Sequence, residues 1–219
     1  MSDLAVRRAT SVAGLLAGIA VLVSVPLYFA YDGAPPVQNV LTRNLLALIT
    51  CGALLVFFTG YSHLARSRAT AGFSATLALG AGLVFLAITL VATSLEAGVV
   101  FGAPDGSLDP TIDGPLAHAN MLAHGPIKRM LTAIYLLAAG FAAAESHLIS
   151  PWLRKAGYII AAINLAFVPS LYFGTDPTKF YAVHSWANAA ITGSLIIYWV
   201  IAVSISLYVT KSADDQDAN

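Results

Sequence analysis

The sequence predicts an all-α fold: a polytopic integral membrane protein of six transmembrane helices, with a short interfacial helix ahead of the fourth. Composition points there first, because 58% of the 219 residues are hydrophobic, only 10% are charged, and the mean hydropathy is +0.78. Soluble domains carry about 25% charged residues. Spacing points there next: apolar residues gather in runs of about 20, long enough at 1.5 Å per residue to cross a hydrocarbon core. Backbone chemistry is the third reason, since helices satisfy their own N–H and C=O groups where no water can.

Residues 1–11, with Arg7 and Arg8, read as an N-terminal segment, and residues 12–209 as the transmembrane domain. The first apolar run, about Val12 to Ala30, is long for the core of a signal peptide. Its exit, Tyr28 to Pro36, lacks a small-x-small cleavage site. It reads as an uncleaved helix bent near Pro26, followed by a loop with Asp32-Gly33 and Pro35-Pro36. A second helix runs from about Val40 to Ala65, with Arg43 and Asn44 at its start and His63 near its end; Arg66 and Arg68 then form a basic turn. The third runs from about Gly72 to Val99, where Thr89, Thr93 and Glu96 share one face. Gly102 to Asp113 is a polar loop carrying Asp105, Asp109 and Asp113.

Pro115 suits the first turn of a short helix, Leu116 to His124, which is too short to span and is expected at the interface. Gly125-Pro126 restarts the chain, and the fourth helix continues to about His147. Ser150-Pro151 breaks it; a fifth helix covers about Gly157 to Phe173, with Asn164 and Pro169 inside. Asp176-Pro177 has the form of an N-cap with proline at N1, predicting a segment through His184 and Asn188. The last helix ends near Val209, and the polar, acidic residues 210–219 are expected to form a disordered tail.

Six spans put Arg7, Arg8, Arg66, Arg68, Arg154, Lys155 and Lys211 on one side, against Arg43, Lys128, Arg129 and Lys179 on the other. The positive-inside rule then places both termini in the cytoplasm of a cell-membrane protein and turns the other face outward. Ser62-His63-Leu64 and Ser146-His147-Leu148 each close a helix that begins with an arginine, a faint sign that helices two-three and four-five are duplicated hairpins. Such repeats occur in membrane folds without establishing transport.

Most of the polar chemistry lies in Asp113 to Arg129. Lys128 and Arg129 occupy the first turn of helix four, where the helix dipole disfavours cations. A cation inside the slab costs about 2.5–3.5 kcal/mol at its centre and less near the ends. Glu96, Asp113 and Asp176, on the same side, are the acidic partners that would offset it. His184, Asn188 and Thr192 share a helix face, as do His124 and Lys128. With Arg43, Asn120 and Asn164 they predict one outward polar pocket. For any single residue, snorkelling to the interface is the plainer explanation; their number on different helices is what favours a pocket.

Metal ligation by His118, His124 and His184 with Asp113 or Asp176 meets a geometric objection: six residues put His118 and His124 on nearly opposite sides of a regular helix. Haem on His63 and His147 meets another, because His124 and His147 are separated by about 34 Å of helix, at opposite boundaries. The histidines near the helix C-termini suit the dipole there. Glu145 is expected to pair with Arg66, Arg154 or Lys155. Cys51, the single cysteine, reads as a small packing residue. Tyr158, Tyr198, Trp199 and Tyr208 read as packing or belt residues, and Gly80, Gly82, Gly140 and Ala142–Ala144 as close helix contacts. No P-loop, nucleophile elbow or dinucleotide fingerprint is present, and zero net charge without a basic patch gives no footing to nucleic acid.

The expected function is binding of a lipid-like or isoprenoid molecule in this pocket. Lys128 and Arg129 would hold an anionic head group, with Arg43, Asn120, Asn164 and Asn188 completing the lining. If the protein is an enzyme, Glu96, Asp113 or Asp176 would be the acid and His124 or His184 the general base or acid. A small transporter or proton-coupled channel subunit is the alternative, with an accessory subunit of a membrane complex, or a metal- or haem-binding membrane protein, beside it. The residues specify no cofactor. Homo-oligomer and complex partner both stay open.

Overall fold

The computed structural model describes residues 2–31, 33–67, 72–103, 105–185 and 187–209. Arg68, Lys211 and the acidic tail lie outside them. Among the described residues there is no strand, and six helical segments are long and apolar enough to cross a membrane: Asp3–Tyr28, Val37–Arg66, Gly72–Gly102, Gly114–Ser146, Pro151–Tyr172 and Thr192–Val209.

The first segment is α1 (Asp3–Ser24), closed by a 3₁₀ turn at Val25–Tyr28 where Pro26 cannot donate to the ladder. It starts well ahead of the apolar run. The Ser2 hydroxyl accepts from the Ala5 N–H at 3.4 Å, and Asp3 sits in the positive first turn. Next come α2 (Val37–Arg66), which follows Pro35-Pro36, and α3 (Gly72–Gly102).

The short helix expected before the fourth span is α4 (Gly114–Leu122), and it is not separate. It runs through a wide π turn, Ala123–Ile127, into α5 (Lys128–Ser146), so that one kinked segment covers both. Pro126 lacks an N–H, and Gly125 takes the non-helical φ −83°, ψ −115°, which makes the kink. His147 caps α5 in the left-handed conformation at φ 54°.

α6 (Pro151–Phe167) begins six residues before the expected Gly157, because Ser150 accepts from the Leu153 N–H and Pro151 occupies N1. Trp152, Arg154 and Lys155 thus belong to its first turns. It ends in a 3₁₀ turn, Val168–Tyr172, around Pro169. Asp176-Pro177 opens no helix. The Asp176 carboxylate accepts from the N–H and hydroxyl of Thr178, a self-contained Asx turn, and turns continue to Ser185. A second π turn, Ala187–Ile191, leads into α7 (Thr192–Val209).

The segments close into a ring in chain order. α1 packs on α2, α2 on α3, α3 on α5, α5 on α6, α6 on α7, and α7 returns to α1. Glycine permits the tight contacts: a Cβ on Gly14 would meet Ser204 and Phe57, and one on Gly60 would meet Thr10. Gly82 lies against Phe58 and Gly140 against Tyr158, as expected, whereas Gly80 faces open space. Ala142 and Ala143 are fully buried.

The ring has two unlike ends. Towards the end where α2 and α5 finish, aromatic side chains fill it. Phe58 and Tyr135 rings lie 4.5 Å apart, Tyr135 meets Trp199 edge-on at 6.1 Å, and Tyr61 meets Trp199 at 6.2 Å. Two of their polar atoms are tied down: the Tyr61 hydroxyl donates to the Ala139 carbonyl at 3.0 Å, and Trp199 Nε1 donates to the Leu153 carbonyl at 2.9 Å. Tyr198 and Tyr208 are exposed. Also at this far end, His63 and His147 are exposed, and Glu145 accepts from the Ser74 hydroxyl at 3.4 Å and forms no ion pair among the described residues. The matched serines of the faint repeat differ: Ser62 donates across to the Ala75 carbonyl, Ser146 to Ala142 of its own helix. The opposite end, where α2, α4 and α7 begin, holds a cavity.

Candidate functional site

The cavity encloses about 600 Å³ between α1, α2, α3, α5 and α7, under the loops that carry Asp109 and His184. Such a volume falls in the usual range for small-molecule sites. Its lower wall is apolar, with Leu54, Phe85, Ile196 and Ile197; polar groups ring the upper part.

Arg43 and Glu96 meet there. The Arg43 Nη2 donates to Glu96 Oε1 at 2.8 Å, with the side chains only 2% and 4% exposed. The Arg43 guanidinium also lies over the Tyr28 ring, 4.1 Å from its centroid. Glu96 therefore neutralises Arg43, not Lys128 or Arg129. The neighbouring Thr89 and Thr93 hydroxyls donate back to the carbonyls four residues earlier, each at 2.8 Å, and so turn inward on their own helix.

Arg129 is engaged with Asn188. Its Nε donates to Asn188 Oδ1 at 3.0 Å and its Nη2 to the Asn188 carbonyl at 2.7 Å. Asn188 Nδ2 in turn donates to Ser170 Oγ at 3.0 Å and to the Val183 carbonyl at 3.1 Å. The Asn188 N–H donates to Ser185 Oγ at 3.1 Å, and the Thr192 hydroxyl donates to the carbonyl of Asn188. One fully buried amide thus ties α5, the turn after α6, the 174–185 loop and the start of α7 together. Gly125 makes room for it: a Cβ there would lie 3.1 Å from Val183 Cγ1 and 3.8 Å from Asn188 Nδ2.

Lys128 has no carboxylate within ion-pair distance among the described residues. Its ammonium lies 3.4 Å from His124 Nδ1 and 4.6 Å from the Phe85 ring centroid. With the ammonium as donor, Nδ1 is the acceptor nitrogen and the ring hydrogen sits on Nε2. His184, half-buried in its loop, is held below the ordinary imidazole range by burial, while the charge of Asp109 pulls the other way.

Of the expected pocket residues, Arg43, Glu96, Asn120, His124, Lys128, Arg129 and His184 border this cavity. Four do not. Asn188 stands behind it and holds Arg129. Asp113 lies in the loop, where its carboxylate accepts from the Asp109 N–H at 2.7 Å. Asp176 is exposed, accepts from Thr178 and lies 3.9 Å from Lys179; those hydrogen bonds hold it below the usual carboxylate range. Asn164 is fully buried on α6 and donates to the Ile160 carbonyl of its own helix.

Thr50, Cys51, Phe85, Thr132, Asp109 and Tyr28 border the cavity unannounced. A signal existed for some: Arg43, Ala47, Thr50 and Leu54 repeat at helical spacing along one face of α2. Nothing in the sequence separates Asp109 from Asp105 and Asp113. Three lining residues each hold a polar atom without a hydrogen-bond partner among the described residues: Arg43 Nε, Asn120 Oδ1 and Thr132 Oγ1. Their side chains are 2%, 8% and 1% exposed. No three His, Cys, Asp or Glu side chains converge as metal ligands among the described residues. The chain matches no protein-family model, no curated protein and no solved structure, so geometry carries the functional argument.

Proposed function

We propose that the chain is a multi-pass membrane protein that binds an amphipathic, lipid-like molecule in the cavity. The hydrocarbon lies among Leu54, Phe85, Ile196 and Ile197, and the polar head reaches Lys128, His124 and Arg43. The observation that carries this reading is the set of buried, unpartnered polar atoms on residues that line one largely apolar cavity. Buried donors and acceptors are nearly always satisfied, and a bound head group would satisfy these. The excess of Arg and Lys on the far side orients both termini to the cytoplasm and the cavity outward. In this reading Glu96 is the counter-ion of Arg43 and not a general acid, and Asn188 is a positioning residue. The ring of aromatic side chains beneath the cavity favours binding over conduction, since a conducting path needs polar groups at both depths.

The test is native mass spectrometry of protein extracted gently from its membrane, beside a Thr132→Phe variant that fills the cavity. An organic adduct on the wild type that disappears from the folded variant supports the proposal. An adduct retained at full occupancy in the variant, or none in the wild type after reconstitution with cell lipids, overturns it.

A further inference from the structure

Resting on that reading, we infer that the occupant is a single-chain amphiphile whose head carries one net negative charge, a carboxylate or a phosphodiester, seated against Lys128. The charges around the cavity lead to this. Arg43, Lys128 and Arg129 border it as cations, Glu96 and Asp109 as carboxylates. Arg43 is spent on Glu96. Arg129 directs its Nε and one Nη to the neutral Asn188, so its charge is solvated but not cancelled. Lys128 has a histidine nitrogen and an aromatic face, and no carboxylate. Asp109, on the loop above, is the second carboxylate of the lining, and its charge acts on His184. Among the described lining residues, three cations against two carboxylates leave one positive charge in excess.

An uncancelled charge in a low-dielectric site is costly, and a ligand of opposite sign removes that cost on entering. A neutral head leaves the excess standing. A cationic head adds to it, and a dianion such as a phosphomonoester overshoots it. The unpartnered atoms agree with a head that accepts: Arg43 Nε–H and the Lys128 ammonium are donors without an acceptor oxygen. Thr132 Oγ1 can serve the same head, and Asn120 Oδ1 can take a hydroxyl or amide hydrogen from it. A volume of about 600 Å³ suits one chain, not the two of a bilayer phospholipid.

The experiment uses the full chain in an uncharged detergent at pH 7, offered hexadecanoate, hexadecanol, hexadecyl phosphate and hexadecyltrimethylammonium in competition, with occupancy read by native mass spectrometry. A lysophosphatidylglycerol arm separates a phosphodiester source from a free fatty acid. Hexadecanoate or the lysolipid should exceed hexadecanol by about tenfold or more. Lys128→Gln should bring acid and alcohol within about threefold of each other, and Lys128→Arg should keep the preference. Asp109→Asn, which raises the excess to two, should shift preference toward hexadecyl phosphate. If the alcohol or the ammonium binds as well as the acid, or Lys128→Gln keeps the full preference in a folded protein, the inference falls while cavity binding stands. If no probe binds at all, the underlying proposal falls with it.

Discussion

Arg129 and Asn188, separated by 59 residues of chain, are joined by two hydrogen bonds, one to the amide side chain and one to its backbone carbonyl. Asn188 reaches that position because the π turn Ala187–Ile191 is wider than an α turn. The same amide then holds Ser170 and Val183. The Arg129 side of the cavity rim is therefore organised by a neutral residue that stands behind it.

Asn188→Ala should destabilise the fold by about 2–3 kcal/mol: the buried Arg129 Nε loses its side-chain acceptor and keeps only the backbone carbonyl for Nη2, and Ser170 Oγ and the Val183 carbonyl lose their donor. The drop in thermal midpoint should be large beside that of Asp176→Ala, whose side chain bonds only its own turn. Equal midpoints for the two variants would contradict the assignment.

Arg43 and Glu96 should behave as a coupled pair. Glu96→Gln or Arg43→Gln alone strands a buried charge and should cost about 3 kcal/mol or more. Replacing both by leucine should recover much of that loss. The double-mutant cycle reads the coupling, and additive single effects would rule the pair out as a stability element.

Gly125→Ala should cost about 1–2 kcal/mol, since its Cβ would press on Val183 Cγ1. Val183→Ala in the same protein should relieve that pressure. Failure of the second substitution to restore any stability would mean that the cost lies in the kink itself.

His184 gives a pH dependence of known sign. Burial holds its folded-state pKa below the ordinary value of about 6.5, so the unfolded chain binds the proton more readily. Its contribution is present in full above that ordinary value. It is lost as pH falls from there toward the depressed folded value, and the loss levels off below it. The wild type should accordingly lose more stability than His184→Gln between pH 8 and pH 5. Asp109→Asn, which removes the opposing charge, should widen the difference. Parallel melting curves for wild type and His184→Gln across that range would refute it.

The six apolar segments were legible because length and hydropathy alone specify them. What hid was rotation and register. Glu96 and Arg43 are 53 residues apart, and no local pattern says that their helix faces meet, so Glu96 reads equally well as a partner of Lys128. At Asp176 the sequence signal was chemically sound. A carboxylate accepting from the N–H two residues on is shared by an N-cap and an Asx turn, and only a following helix separates them. Gly125-Pro126 announced a break. It could not tell a separate short helix from one bent segment, because Gly125 adopts a non-helical conformation that kinks the helix without ending it. Asn188, polar and flanked by small residues, looked like a lining group; its role as a buried knot depends on Ser170 and Val183, which no spacing links to it.

Five of the six neighbouring pairs in the ring are joined by a connecting segment of chain, and the sixth, α1 with α7, is not. That seam is interlocked at its far end, where Gly14 receives Ser204 and Gly18 receives Ile201. Its other end borders the cavity through Val21 on α1, Val25 in the 3₁₀ turn that closes it, and Gly193 and Ile196 on α7. The two helices are thus interlocked at one end and joined by no connecting segment. In the proposed binding role, this seam is where a hydrocarbon chain would enter from the side without a loop being lifted.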